Sequence, residues 1–471
     1  MGDTQKDLLK VKLNQLQCHF TWTPQKENIN LDDLKQRLED SVQLDVKYQD
    51  RSYNQLAFVN CLQGNCEEAI QNLKEAEKIL REKHENEFEK RIIVTYGNYA
   101  WVYYHMDRLE DAQSYLDKLE TVCKLFPEAS QFTAMIPEVY GEKGWSLLIS
   151  AAQYYEEAKE CFKKALQKDP DNIEWNVGYA TVLSRLKWFS ATPEISGPME
   201  SVMWFRRVLE LDPDHAEAMV LLALNLQELS QEEEAFTLVE RALQKSPDHP
   251  YVLRYVAKFY RKRGDVEKAV KLLERALEIT PSSSFLYHQI GQCHQNKLFA
   301  LLKDPGSKIP ESSVFQEKEA LIKKCKQYFG KSFELKPSFI SAKLAFATMC
   351  SINKEYCKAK EIYSNLLKFQ PICPEDKQEV YYKVGQFELH TQEESNAIIH
   401  FLEGFSIKRN LKLQKNFRTN LEKIAKTRLQ NNPGDIKALY ILGVMYLLDG
   451  EESGISQYFA GINLQELFNG E

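Results

Sequence analysis

Apolar positions along this chain recur with a helical period, and the helices they predict come in pairs. In the stretch from His249 to Pro281 (HPYVLRYVAKFYRKRGDVEKAVKLLERALEITP), Leu253, Tyr260, Leu273 and Leu277 fall on the inward stripes of two successive helices. Ala257, Gly264, Ala269 and Ala276 are the small residues expected where two antiparallel helices approach closely. Pro281 ends the second helix, because it lacks an N–H and its ring clashes with the preceding turn. The pattern returns in phase: Pro213, Pro247 and Pro281 are each 34 residues apart, as are Ala223, Ala257 and Gly291. Self-similarity at this period predicts a stack of helix–turn–helix repeats.

A 34-residue unit of this kind is the tetratricopeptide repeat, so the expected fold is all-α, an α-solenoid superhelix of such repeats. Residues 1–50 read as N-terminal helices that cap the array, with Leu13, Leu16 and Phe20 on one amphipathic helix. Repeats fill 51–247 and 248–407, the latter with a polar insertion near 302–317, and Pro213, Pro247, Pro281, Pro337 and Pro371 mark repeat ends. A further interruption falls at Ser190–Pro198, and residues 408–471 read as a basic linker helix and a degenerate last repeat. In such a stack the first helices line a concave inner wall, which puts Trp175, Val220, Arg254 and His288 at equivalent inward positions.

Composition narrows the class. Hydrophobic content of 43% with 27% charged residues fits a folded soluble chain, and no apolar run is long enough to span a membrane. The amino terminus, MGDTQKDLLK, lacks the apolar core of a signal peptide. Ten cysteines occur without a C-x-x-C spacing, which favours reduced thiols in the cytosol over a disulfide framework. No nucleophile elbow, phosphate-binding glycine loop or zinc motif is present, so neither an enzyme, a cofactor nor a metal is expected.

Charge is unevenly placed within a net of −7. Tyr251–Arg275 holds eight Lys/Arg against three Asp/Glu, and Phe405–Gln430 holds eight against one. Arg254, Lys258 and Arg261 share one face of their helix, and Tyr251 and Tyr255 interleave with them. Exposed helix cations commonly do no more than keep a protein soluble. Cations mixed with aromatic rings on an inner wall suit single-stranded nucleic acid, and equally an acidic peptide. Trp145 reads either as core or as a stacking platform, and Arg185 either as a surface ion-pair partner or as a cation pointing inward.

The segments CHFTW (Cys18–Trp22), TYGNYAWVYYHMDRLEDAQ (Thr95–Gln113), EKGW (Glu142–Trp145), LRYVAKFYRKRG (Leu253–Gly264) and HQIGQC (His288–Cys293) resemble the interferon-induced proteins with tetratricopeptide repeats. The resemblance implies a cytosolic antiviral protein that holds the 5′ end of single-stranded viral RNA, as a triphosphate or a cap lacking ribose methylation, in a basic central channel and inhibits translation. It implies that Trp145 stacks on the first base or cap, and that Arg37, Arg185, Arg254 and Arg261 hold phosphates beside Lys258. Tyr155, Tyr251, Tyr255, His288 and Gln289 would line the path of the first nucleotides. Partners implied are RNA, related repeat proteins or a second copy, and the translation initiation machinery.

Three positions depart from the 5′-end readers of that family. Ile149 stands in place of a lysine, Ser41 in place of a glutamine, and Glu217 in place of an inward tyrosine. One cation fewer and one anion more weaken the pull on a bare triphosphate. The tail keeps only a loose version, Tyr458 and Ile462, of the pattern through which relatives associate. The competing reading is an interaction scaffold that works through complexes and has little RNA affinity of its own.

Overall fold

The computed structural model describes residues 2–450 apart from 23–28, 30, 45–47, 128, 187–195, 304–310, 371 and 409. Among the described residues every regular element is a helix. Three N-terminal helices come first: α1 (Gly2–Leu13), α2 (His19–Trp22) and α3 (Leu31–Leu44). Six pairs follow. They are α4 (Gln49–Leu62) with α5 (Cys66–Lys83), α6 (Phe88–His105) with α7 (Leu109–Cys123), and α8 (Pro137–Ser150) with α9 (Tyr155–Lys168). Next come α10 (Ile173–Leu186) with α11 (Ser196–Leu211), α12 (Ala216–Glu228) with α13 (Glu232–Lys245), and α14 (Pro250–Arg263) with α15 (Val266–Ile279). The later pairs are α16 (Ser284–Lys303) with α17 (Glu311–Leu335) and α18 (Ile340–Ile352) with α19 (Tyr356–Lys368). The last are α20 (Pro374–His390) with α21 (Glu394–Ser406) and α22 (Leu411–Asn431) with α23 (Ile436–Asp449). Contacts divide these helices into two compact units: the first ends at Ser283 and holds α1–α15, and the second begins at Ser284 and holds α16–α23.

One turn recurs inside the pairs. At Gly64, Asp107, Ser230, Gly264, Lys354 and Gln392 the backbone takes a left-handed conformation, with φ between 60° and 89°. In each, the next residue's N–H reaches back five residues, as in Asn65 to Asn60 O (2.8 Å), Arg108 to Tyr103 O (2.9 Å) and Asp265 to Tyr260 O (3.0 Å). These bonds satisfy carbonyls that a helix end leaves open. Gly264 therefore serves the turn and not the close helix approach expected of it. A Cβ built on Gly264 meets nothing within 4 Å, whereas its φ of 89° disfavours any side chain.

Close approach is the task of other small positions. A Cβ on Gly178 would lie 2.5 Å from the ring of Phe162, and one on Gly291 the same distance from Phe329. Both rings are fully buried, so each phenylalanine of a second helix fills the groove that a glycine opens on a first helix. The same logic corrects two inward assignments. Trp175 is buried with its indole against Gly141, and Val220 is wholly enclosed, so neither stands open on a wall.

Two boundaries differ from the sequence reading. The single helix expected through Leu13, Leu16 and Phe20 breaks after Leu13, where Gln15 and Leu16 turn back onto Lys12 and Leu13. The break lets His19 bury against α6: Asn98 accepts its backbone N–H at 3.2 Å and lies 3.0 Å from its Nδ1. Burial drives His19 down to about 3 and keeps it neutral. In the second unit the expected insertion is helical from Glu311 onward, because a run such as Gln316–Leu321 (QEKEAL) consists of strong helix formers.

Candidate functional site

The last carbonyls of α8 have no partner within their own helix, and two guanidinium groups supply it. Arg37, exposed on α3, donates from Nη1 to the carbonyl of Ile149 at 3.0 Å and pairs through Nε with Asp33 at 2.8 Å. Arg185, near the end of α10, donates from Nη1 to the carbonyl of Leu148, also at 3.0 Å. A positive charge at a helix C-terminus is favoured by the helix dipole. Arg185 is thus built into the end of α8, beside the ring of Tyr155.

Trp145 lies one turn before that end. Its ring meets Phe162 edge-on at 5.4 Å, and the guanidinium of Arg51 lies 4.5 Å from its centre. The indole N–H is buried and reaches no acceptor among the described residues. Trp145 is half-buried, so it packs and also presents part of its surface. Arg51 also lies 4.8 Å from the ring of Tyr48 and pairs closely with Glu174.

A second group sits on α14. The guanidinium of Arg254 is 5.1 Å from the Tyr251 ring and 4.8 Å from the Tyr255 ring, and the two rings are 4.5 Å apart. Lys258 lies 6.0 Å from Tyr255. Arg185 joins this group to the first, since it lies 5.7 Å from the Tyr155 ring and close enough to Tyr251 and Tyr255 to alter their ionisation. Arg254 is half-buried beside both rings.

The ionisation of these tyrosines follows from the local field. Burial raises the phenol of Tyr255, but Arg254, Arg185 and Lys258 outweigh it and bring it down to about 8. Tyr251 moves the other way, pushed up by burial, by Tyr255 and by Glu217 on α12. The ammonium of Lys258 is pushed down, first by burial and then by cations that include Lys262 and Arg261. Several cations crowd a half-buried, tyrosine-lined space. Such a space suits a flat ring joined to an anion.

Other expected residues fall elsewhere. His288 is only 5% exposed and packs its ring against Phe329 (5.6 Å) and Phe339 (4.8 Å), so its expected place on an open wall is corrected. It is drawn in because α16 carries Gly291 against Phe329 one turn later. Gln289 is half-buried, and both belong to the second unit. Arg261 is half-buried on the far turn of α14. Ile149 packs against the N-terminal core, Ser41 lies 3.1 Å from Ser52, and Glu217 is 3.9 Å from His249. Tyr458 and Ile462 lie outside the described residues.

Sequence reasoning missed the α4 residues that support Trp145. Asn54 donates to Glu142 (3.0 Å), and Gln55 donates to the Ser146 carbonyl and to Ser150 (3.1 Å each). Burial, with repulsion from Asp50, pushes Glu142 up to about 8 despite Asn54, Arg51 and Arg91. Arg51, Asn54 and Gln55 share one face of α4 at i, i+3 and i+4 spacing, which is the one signal that could have flagged them.

Tetratricopeptide repeat family models match residues 48–124, 137–172 and 226–290. The human antiviral innate immune response effector IFIT1 is 37% identical over 453 residues, covering 96% of this chain and 94% of its own length. Human interferon-induced protein with tetratricopeptide repeats 2 is 34% identical over 461 residues, covering 95% and 94%. Among solved structures, the human IFIT1 dimer with m7Gppp-AAAA superposes with a TM-score of 0.78 at 35% identity, covering 96% of this chain and 98% of that one. The human IFIT1 dimer with PPP-AAAA gives 0.74 at 34% identity, with the same coverage. Among the described residues no helix is long and apolar enough to cross a membrane, and no group of three or more His, Cys, Asp or Glu could hold a metal.

Proposed function

The chain belongs to the interferon-induced proteins with tetratricopeptide repeats, and from that premise we propose that it is a cytosolic antiviral protein that binds the 5′ end of single-stranded viral RNA and so blocks its translation. The contact set is confined to the first unit: Trp145 takes the terminal base or cap, and Arg37, Arg185, Arg254, Lys258 and Arg261 take the phosphates behind it. Tyr155, Tyr251 and Tyr255 line the path. The observation that carries this reading is Arg185, which is tied to the helix of Trp145 and shares a field with Tyr251 and Tyr255. Human IFIT1 has been solved with both m7Gppp-AAAA and PPP-AAAA, which supports the same ligand class.

Between the two 5′ ends, a cap lacking ribose methylation is the better fit. A bare triphosphate brings more negative charge, and Ile149 and Glu217 leave the site with less positive charge to meet it. The test is a titration with RNAs of one sequence bearing a cap, a ribose-methylated cap, a triphosphate or a 5′-hydroxyl, at two salt concentrations. The capped RNA is expected to bind tightest, with the 5′-hydroxyl RNA far weaker. Equal binding of all four, or none, overturns the reading.

Two of the human IFIT1 structures are of a dimer, which favours association with itself or with relatives alongside RNA binding. Light scattering on the full chain, alone and mixed with a relative, tests this. A strictly monomeric solution in both cases removes it.

A further inference from the structure

The turn of the first repeat carries a pair of thiols that no part of the RNA-binding reading uses. The left-handed Gly64 closes it, with Gly64 N–H on the Cys61 carbonyl (3.0 Å) and Asn65 N–H on the Asn60 carbonyl (2.8 Å). This bonding folds the last turn of α4 against the first residue of α5. The residue three before the left-handed position then faces the residue two after it. Here both are cysteines, and Cys61 Sγ lies 3.2 Å from Cys66 Sγ. The same two positions in the other left-handed turns hold Tyr104 and Leu109, Gln227 and Glu232, Arg261 and Val266, Ser351 and Tyr356, and Leu389 and Glu394. The thiol pair is therefore particular to the first repeat among these turns and not a by-product of the repeat.

We propose that Cys61 and Cys66 form a reversible disulfide when the protein meets a peroxide, stapling α4 to α5. A disulfide needs a sulfur separation of about 2.05 Å, so closure asks for a shift of about 1 Å at a turn whose tip is exposed. The two thiols divide the work by exposure. Cys66 is half-buried at the first residue of α5, beside the exposed Gly64 and Asn65, and meets the oxidant first. Cys61 is only 8% exposed and waits behind it. Cys66, as thiolate, attacks one peroxide oxygen, the O–O bond breaks, and Cys66 becomes a sulfenic acid while the other oxygen leaves as water after taking up a proton. Cys61 sulfur then attacks Cys66 sulfur, the S–O bond breaks, and a second water leaves with the Cys61 proton. In sum two thiols lose two hydrogens and one hydrogen peroxide becomes two waters. A thiol reductant reverses it.

The bond would fix the helix that carries Arg51, Asn54 and Gln55 beneath Trp145. The chemistry itself does not depend on what binds there. The test uses the full chain under native conditions, titrated with hydrogen peroxide until the exposed Cys357 begins to oxidise, then unfolded, alkylated and digested with trypsin without reductant. Both thiols fall in one tryptic peptide, Ser52–Lys74. That peptide is expected without alkyl groups and two hydrogens lighter, and doubly alkylated after reduction. Cys61→Ser should stop the reaction at a Cys66 sulfenic acid that dimedone captures. Recovery of Ser52–Lys74 doubly alkylated while Cys357 is oxidised overturns the proposal. So does over-oxidation of Cys66 in the wild-type chain without the bridge.

Discussion

Arg37 and Arg185 stand on helices far apart in sequence, yet they donate to the neighbouring carbonyls of Ile149 and Leu148 at the same distance, 3.0 Å. Each guanidinium spends one N–H on the backbone, and Arg37 gives another to Asp33; in the proposed reading the remaining N–H groups meet the ligand. The positions of both cations are thereby set by α8 itself, the helix that carries Trp145. A phosphate arriving there meets charges whose side-chain freedom is already restricted, which lowers the cost of ordering them.

Arg254→Gln removes one cation from beside Tyr251 and Tyr255 without adding charge. A charged hydrogen bond to phosphate is worth roughly 1.5–3 kcal/mol, so RNA affinity should fall about tenfold or more. The slope of log affinity against log salt should flatten by about 0.7 if one single-strand phosphate contact is lost. Filter binding across a salt series reads both. An unchanged slope with weaker binding would mean that Arg254 acts through packing.

Glu217→Gln should strengthen binding. The carboxylate reaches the space of Tyr251 and His249, and it is 39% exposed, so screening limits its reach. Removing an exposed charge of this kind is worth about 1 kcal/mol or less, or up to about fivefold in affinity. Triphosphate RNA should gain more than capped RNA. A loss of affinity would argue that Glu217 makes a contact of its own.

Tyr255 should be visible in a spectrophotometric titration. Tyrosinate absorbance in the free protein should show one early step near pH 8, well before the bulk of the tyrosines. Tyr255→Phe should abolish the step. Bound RNA should move it upward, since a polyanion beside Arg254, Arg185 and Lys258 competes with the phenolate for their field. A titration that ignores RNA would separate the ligand from this cluster.

Glu142 should make stability fall with rising pH. Its folded-state pKa, about 8, lies above the usual carboxylate range, so between that range and pH 8 the folded chain holds a proton that the unfolded chain has released. Stability from this group is fully present at low pH and is lost as pH rises through 8, by up to roughly 1.4 kcal/mol per pH unit. Glu142→Gln cannot titrate, and its melting temperature should gain on wild type from pH 5.5 to 8 and then level off. Parallel melting curves across that range would rule the effect out.

What could be read in advance followed from periodicity. Proline, alanine and apolar positions 34 residues apart are enough to specify paired helices, because each mark acts within its own unit. Gly264 was legible as a required glycine, but for the wrong reason: small-residue spacing does not distinguish close approach from positive φ. His288 shared a register with Arg254 and still went inside, because its own repeat sets Phe329 and Phe339 around it. The placing of Arg185 on the Leu148 carbonyl, and of Arg51 between Tyr48, Trp145 and Glu174, joins helices that no local pattern relates.

The recurring left-handed turn has a bearing on how the protein could be hardened. Of the six turns, those at Gly64 and Gly264 carry glycine and that at Asp107 a residue that tolerates this backbone; Ser230, Lys354 and Gln392 are less suited to it. A side chain there costs on the order of 1 kcal/mol relative to glycine. Each turn is local and lies at least a whole repeat from the next, so glycine substitutions at Ser230, Lys354 and Gln392 should behave as independent improvements whose effects sum, whereas Asp107→Gly would also lose the pair with Lys6. Here modular construction supplies a series of such sites, none among the residues proposed to touch RNA.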